Sequence, residues 1–289
     1  MNTPNLTSQT SSALVDVDWL ARHLDQDGLV ILDASVPPVV PGFVSINSTE
    51  QFSVIPDARR FDYDKEICKP NASLPHMMPT PELFQEKVQA LGIDQDSELV
   101  VYDDVGLYAS PRAWWMFRAM GHERVRILNG GLPAWIAAAQ PVSDSHAEAD
   151  KTGDFIARQD ASLFCDFNRV LQALEDDRAE VLDARSAGRF KGLEAEPRPK
   201  VREGHMPGAK NLPFPMVLAD GKLASSASLQ RLFGDLADPE QTIITSCGSG
   251  ITACVLTLAA WEAGYRKLAV YDGSWAEWGL PSKLPVVRD

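Results

Sequence analysis

The segment Cys247-Gly-Ser-Gly-Ile-Thr-Ala253 follows the apolar run Thr242-Ile-Ile-Thr-Ser246 and leads into a helical pattern. Two glycines and a serine let the backbone curl tightly and turn several N–H groups inward. The helix opening near Ile251 adds its positive end. These are conditions that favour thiolate over thiol. A lone cysteine at a strand end is ordinarily buried and inert; the glycine-rich loop between strand and helix is what makes this one read as a nucleophile.

The neighbours of Cys247 narrow the chemistry. A cysteine phosphatase needs an arginine after five intervening residues to clamp phosphate oxygens, and that position holds Ala253. A cysteine protease needs a paired histidine and an orienting Asn or Asp. His76, His122 and His205 are candidates by type, but no spacing pairs them with the cysteine. Sulfur transfer fits better: a thiolate attacks a sulfur atom and becomes a persulfide that inward N–H groups stabilise.

The formal net charge is −13, from 40 acidic and 27 basic residues among 289. A broad basic face for nucleic acid is therefore not expected. An anionic substrate has to be held by a local arginine cluster against the global field. Arg189 and Arg198 are expected in a loop after the Leu182-Asp-Ala strand, with Arg185 and Arg202 nearby; taken alone they read as ordinary surface charges. Arg185 is expected to brace the loop rather than bind. No apolar run reaches the ~20 residues of a membrane span. The cysteines Cys68, Cys165, Cys247 and Cys254 form no Cys-x-x-Cys pair and are too sparse for a disulfide framework. Residues 1–13 lack the basic and apolar regions of a secretory signal and the arginines of a transit peptide. A cytoplasmic location with reduced thiols is the expectation.

The elements that position the cysteine occur twice. Leu29-Val-Ile-Leu-Asp-Ala34 is echoed by Glu180-Val-Leu-Asp-Ala-Arg185, and the turn Ile55-Pro-Asp-Ala58 by Met206-Pro-Gly-Ala209. Leu99-Val-Val-Tyr-Asp-Asp104 is echoed by Thr242-Ile-Ile-Thr-Ser-Cys247, each followed by a helical pattern. Asp104 stands 17 residues before Gly121 and Cys247 stands 17 before Gly264, both glycines sitting where a helix C-cap is expected. That spacing matches Asp104 to Cys247, so one copy is active and the other auxiliary. Strand–helix alternation in each half predicts βαβ units and a parallel sheet with helices on both faces. The expected division is residues 1–145, a polar linker at 146–160, and residues 161–289. Ligands of such sheets collect at the C-terminal strand ends.

These residues carry a resemblance. The Cys247–Thr252 loop resembles that of two-domain rhodaneses, and within them the 3-mercaptopyruvate sulfurtransferases. The likeness extends over nearly the whole chain. It includes Ala109-Ser-Pro-Arg-Ala-Trp-Trp-Met-Phe-Arg118, the stretch from Gly188 to Arg198, Gly204-His-Met-Pro-Gly-Ala209 and Tyr271-Asp-Gly-Ser-Trp275. It implies two tandem rhodanese-like domains and sulfur transfer from 3-mercaptopyruvate through a Cys247 persulfide to a thiol, cyanide or thioredoxin. It further implies that Arg189 and Arg198 hold the substrate carboxylate and carbonyl. Backbone N–H groups from Gly248 through Gly250, Ile251 and Thr252 would line the sulfur. Ser249, His76 and Asp64 would manage the proton, with Asp62 competing for the place of Asp64. No metal or organic cofactor is implied, and a monomer or weak dimer is expected. A thiosulfate sulfurtransferase is the alternative enzyme, although Gly248 and Ser249 offer little positive charge for a dianion. A non-catalytic persulfide carrier or redox module is the other alternative. Two departures from the family pattern stand out: Ser53-Val-Ile-Pro-Asp-Ala58 at the first turn, and Ile251 where valine is usual.

Overall fold

The computed structural model describes residues 12–47, 51–176 and 178–289, so most of the N-terminal stretch read above lies outside the described residues. The first half runs β1 (Leu14–Val15), α1 (Val17–His23), β2 (Leu29–Asp33), β3 (Arg59–Arg60), α2 (Pro81–Ala90), β4 (Glu98–Tyr102), α3 (Ser110–Ala119), β5 (Val125–Leu128) and α4 (Gly131–Ala137). The second runs β6 (Phe164–Cys165), α5 (Phe167–Ala173), β7 (Ala179–Asp183), α6 (Ala187–Lys191), β8 (Lys210–Asn211), a 3-10 turn (Phe214–Val217), β9 (Leu218–Ala219), β10 (Lys222–Leu223), α7 (Ser226–Gly234), β11 (Thr242–Ser246), α8 (Thr252–Glu262), β12 (Leu268–Tyr271) and α9 (Ser274–Trp278).

Each half folds into a five-stranded parallel sheet with one shared strand order, β1-β5-β4-β2-β3 and β6-β12-β11-β7-β8. The central strands are short apolar runs covered on both faces, as parallel strands require. Local chemistry repeats with the topology. Asp16 and Asp166 each cap the first helix of their half, accepting the N–H of Trp19 and of Arg169. The turns at 55–58 and 206–209 close with Ala58 N–H on Ile55 O and Ala209 N–H on Met206 O, both 3.1 Å. Asp57 stands at φ +59° where the second copy has Gly208 at +84°, so the departure at the first turn keeps the same left-handed corner. Aspartate is among the few non-glycine residues that tolerate it.

Sheet register corrects one match drawn from spacing. Asp33 lies opposite Tyr102, and Asp183 lies opposite Ser246. Tyr102 and Ser246 are therefore equivalent, and the residue standing in the place of Cys247 is Asp103, not Asp104. The connection from β4 to α3 spans 103–109, whereas that from β11 to α8 spans only 247–251. Counting back from the helix-capping glycines therefore shifts the strands by one residue. Asp103 fills its own loop. Its Oδ1 accepts the N–H of Val105 and Gly106, and its Oδ2 accepts those of Tyr108, Ala109 and Ser110 and the Ser110 hydroxyl, at 2.6–3.1 Å.

The halves meet along α3 and α8. Trp114 packs edge-on against Trp261 at 5.9 Å, and one continuous core draws buried residues from both sheets. Asn129 Oδ1 accepts Leu223 N–H at 2.9 Å, and Glu262 accepts Ala13 N–H at 2.7 Å. The segment expected as a linker has neither helix nor strand but lies along the first half. Ala147 N–H donates to Ala58 O, Gly153 N–H to Gln89 O and Arg158 N–H to Met120 O, with Phe155 buried among them. Among the described residues no helix is long and apolar enough to cross a membrane.

Candidate active site

Cys247 sits where β11 ends, 2% exposed, with its sulfur 3.1 Å from the N–H of Gly250. Of the loop N–H groups, that of Gly250 is the one donated to the sulfur. The cysteine's own backbone is fixed from below: its N–H donates to Ser274 Oγ at 3.2 Å, and its carbonyl accepts Trp275 N–H at 2.9 Å. Gly250 has φ +81°, and a Cβ there would lie 2.8 Å from Arg112 Nη1 and 3.0 Å from Asp272 O. Only glycine satisfies both the left-handed backbone and that close approach.

Gly248 brings the arginines to the cysteine. A Cβ on it would sit 3.2 Å from Arg189 Nη2 and 3.8 Å from Arg198 Nη1, so two guanidinium groups overhang the residue after Cys247. Arg189 was expected in a loop and instead lies on the short helix α6, capped by Ser186, while Arg198 is in the loop that follows. Arg189 arrives with a partner, donating from Nε and Nη2 to the two oxygens of Glu196. Arg198 is half-buried and has no hydrogen bond or ion pair with any described residue apart from its field on His76. Arg185 is a brace, as expected: it forks onto Asp183, bonds Glu196 and Gly204 O, and lies 4.0 Å over the Trp275 ring. Arg202 is likewise spent on the carbonyls of Trp278, Gly279 and Leu284.

His76 comes from the first half. Its Nδ1 lies 2.9 Å from Asp64 Oδ1, an approach off the axis of the ring N–H, so the contact is an ion-pair distance without an aligned hydrogen bond. Asp62 faces elsewhere: its Oδ1 accepts the N–H of Asp64 and Lys65, and its Oδ2 lies 3.7 Å from Arg60. Burial, helped by the Arg112 charge, pushes the His76 imidazole down to about 4, so it is neutral at physiological pH. The other two candidate histidines are committed to backbone: His122 Nε2 to Ser97 O at 2.9 Å, and His205 Nδ1 to Phe190 O at 2.9 Å. Ser249, Ile251 and Thr252 are all buried in the loop. A cavity of about 630 Å³ opens beside this group, walled by Val40 and Phe43 of the first half and Arg189, Phe214 and Thr252 of the second.

Three further cysteines lie among the described residues. Cys254 is fully covered, donates to Gly250 O, and is pushed up to about 12 by burial; Cys165 is raised to about 12 for the same reason. Cys68 is half-buried, its thiol donating to Asp64 O. Two site residues escaped the sequence reading. Arg112 lies within the quoted Ser-Pro-Arg-Ala-Trp-Trp run, yet it is completely buried and reaches across to Asp272 of the second half at 2.7 Å. The available signal was a charge, one of two with Arg118, on a helix whose other residues are mostly apolar. Asp272 had its place at the end of an apolar strand, within Tyr271-Asp-Gly-Ser-Trp275.

Comparison with known proteins agrees with this geometry. The rhodanese-like domain model matches residues 16–138 and again 166–280. The chain is 38% identical over 275 residues to the 3-mercaptopyruvate sulfurtransferase of Escherichia coli K12, covering 94% of this chain and 96% of that one. It is also 38% identical over 276 residues to the thiosulfate sulfurtransferase of Cricetulus griseus, covering 92% and 91%. The crystal structure of SseA from Escherichia coli superposes with a TM-score of 0.78 at 34% identity, covering 92% of this chain and all of that one. With the domain model matched twice, and a doubled sheet whose second copy ends in a cysteine loop, the chain belongs to the rhodanese-like family as a tandem of two such domains.

Proposed function

We propose that this chain is a 3-mercaptopyruvate sulfurtransferase, moving sulfur through a Cys247 persulfide to a thiol, cyanide or thioredoxin and releasing pyruvate. The carrying observation is the pairing of Cys247, under the Gly250 N–H, with two guanidinium groups over Gly248. That is a nucleophile for sulfur beside a receptor for a carboxylate. The names of the relatives support the same reading.

In the first half-reaction the Cys247 thiolate attacks the substrate thiol sulfur. The new S–S bond forms as the substrate C–S bond breaks, and the electron pair passes to carbon as pyruvate enolate. The proton of the substrate thiol ends on that carbon, leaving a persulfide anion on Cys247 and pyruvate. Ser249, His76 and Asp64 carry the proton. A neutral imidazole, protonated on the side of Asp64, leaves its other nitrogen free to accept. Arg198, which has no partner among the described residues, and Arg189, which shares Glu196, hold the carboxylate and carbonyl. The N–H groups of residues 248–252 stabilise the persulfide. In the second half-reaction an acceptor thiolate or cyanide takes the outer sulfur and returns the Cys247 thiolate; no carbon is protonated in that step.

Residues 161–289 form the catalytic copy and 1–145 the non-catalytic one, with 146–160 between them. The protein works in the cytoplasm, a reading consistent with four cysteines that are all free thiols, and as a monomer or weak dimer. Thiosulfate as donor is the second reading, and the hamster relative favours it. The test gives purified protein 3-mercaptopyruvate or thiosulfate at equal concentration with cyanide and records thiocyanate, for wild type and Cys247→Ser. A mercaptopyruvate preference that vanishes in Cys247→Ser is expected. A thiosulfate preference overturns the donor assignment, and transfer surviving in Cys247→Ser overturns the nucleophile.

A further inference from the structure

Arg112 is a charged residue in the middle of the interface between the two domains, and nothing in the mechanism above uses it. It is completely buried. Its guanidinium donates to Gly250 O at 3.2 Å, to Asp272 Oδ1 at 2.7 Å and to His76 O, and lies 4.7 Å over the Phe164 ring. The second oxygen of Asp272 accepts Met78 N–H at 2.9 Å. One arginine from α3 of the first domain therefore touches the loop that aims an N–H at the Cys247 sulfur and the loop that carries His76. Its counter-ion holds the far side of that second loop.

We propose that Arg112, with Asp272, is a positioning residue that sets the His76 loop in register with the Cys247 loop across the domain interface. The inference rests on the sulfur-transfer reading above. Three features separate it from ordinary packing. A buried ion pair is weak evidence for stability, because apolar replacements of like volume are often as stable; Arg112 even leaves its Nε unpartnered. His76 stands at φ +58°, a left-handed corner open to few non-glycine residues, histidine among them, and Arg112 donates to the carbonyl of that corner. The acceptors belong to separate chain segments, which a planar fork spans and a single ammonium does not. The groups facing the His76 ring are Asp64, Arg112, Arg198 and Asp272, so Arg112 and its partner also set the field around the proton carrier.

Two sulfur donors for the first half-reaction supply the test. Mercaptopyruvate needs a proton delivered to carbon by groups from both domains. Inorganic polysulfide loads the same cysteine by giving up one sulfur and leaving as a shorter polysulfide, with no carbon to protonate. Single-turnover persulfide formation is measured with each donor, on full-length wild type, Arg112→Lys and Asp272→Asn, after melting curves establish which variants fold. Misplacing one reacting group by about 1 Å costs roughly 100-fold. Arg112→Lys is therefore expected to slow loading from mercaptopyruvate by about 100-fold and loading from polysulfide by less than about 3-fold. If Arg112→Lys does not fold, the same ratio is read on Asp272→Asn, which preserves shape and removes the counter-ion. Equal losses on both donors mean a structural role only and overturn the proposal, as does a folded variant with wild-type rates on both. Wild-type silence on mercaptopyruvate, read before any variant, sinks the function itself; an active wild type with an unchanged donor ratio sinks only the role of Arg112.

Discussion

Arg198 offers the cleanest separation of binding from folding in this site. Its guanidinium hangs over Gly248 and bonds no described residue, whereas Arg189 shares Glu196 with Arg185. Arg198→Gln therefore removes a ligand for substrate without orphaning any internal acid. A hydrogen bond between charged groups contributes about 1.5–3 kcal/mol. At about 1.4 kcal/mol per tenfold, kcat/KM for mercaptopyruvate should fall by roughly 10- to 150-fold. The melting temperature should hold, because a substitution away from any partner stays within about 0.5 kcal/mol. Arg189→Gln should lose comparable activity and also stability, since Glu196 is left with Arg185 alone. Steady-state thiocyanate formation and a melting curve on the same preparations decide the matter. A loss under about threefold in Arg198→Gln, with the fold intact, would mean that the carboxylate is held elsewhere and that the overhang of Arg198 is incidental.

Two further expectations concern titration and thiol access. His76 takes up its proton near 4 in the folded chain and near 6.5 as a model histidine, so the unfolded chain binds more protons between those values. Stability is therefore present above pH 6.5 and falls as pH drops toward 4, by about 3 kcal/mol at the full extent. Melting curves from pH 7 to 4.5 should fall more steeply for wild type than for His76→Gln, and parallel curves would refute the assignment. Brief iodoacetamide treatment of the native protein, read by peptide mass, should spare Cys165 and Cys254, both covered and raised to about 12. Early label on Cys254 would contradict its place in the core.

The doubled architecture and the cysteine loop were legible because they depend on local chemistry. Apolar runs of strand length, tight turns and helix-ending glycines recur in order, and each acts through neighbours a few residues away. The alignment of the two copies was less secure for the same reason. Spacing counted from Gly121 selected Asp104, while pairing of Asp33 with Tyr102 selects Asp103, because the connection preceding α3 is longer than that preceding α8. Only hydrogen bonding between strands distant in sequence fixes that register. Arg189 and Arg198 were found through motif, but their difference was not: which guanidinium is already paired depends on where Glu196 folds back. Arg112 was passed over although it lay inside a quoted motif. Its significance is wholly non-local, resting on partners 36, 138 and 160 residues away.

Asp103 supports reading the first domain as the non-catalytic copy rather than a dormant second active site. Its carboxylate occupies its own loop's ring of N–H donors, where the second domain has a cysteine sulfur under the Gly250 N–H. Restoring a cysteine would not restore a site. Between β7 and β8 the second domain builds α6 and brings Arg189 over the loop; between β2 and β3 the first has no helix among its described residues. The helix that gives the second loop its Arg112 contact belongs to the first domain, and His76 comes from there too. The double substitution Asp103→Cys with Cys247→Ser should therefore transfer sulfur no faster than Cys247→Ser alone. It should also melt lower, because five backbone N–H groups lose an anionic acceptor that a thiol replaces poorly. Any mercaptopyruvate-dependent thiocyanate above the single variant's background would show that the loop alone suffices. The division of labour argued here, nucleophile from one copy and proton carrier with its positioning arginine from the other, would then be wrong.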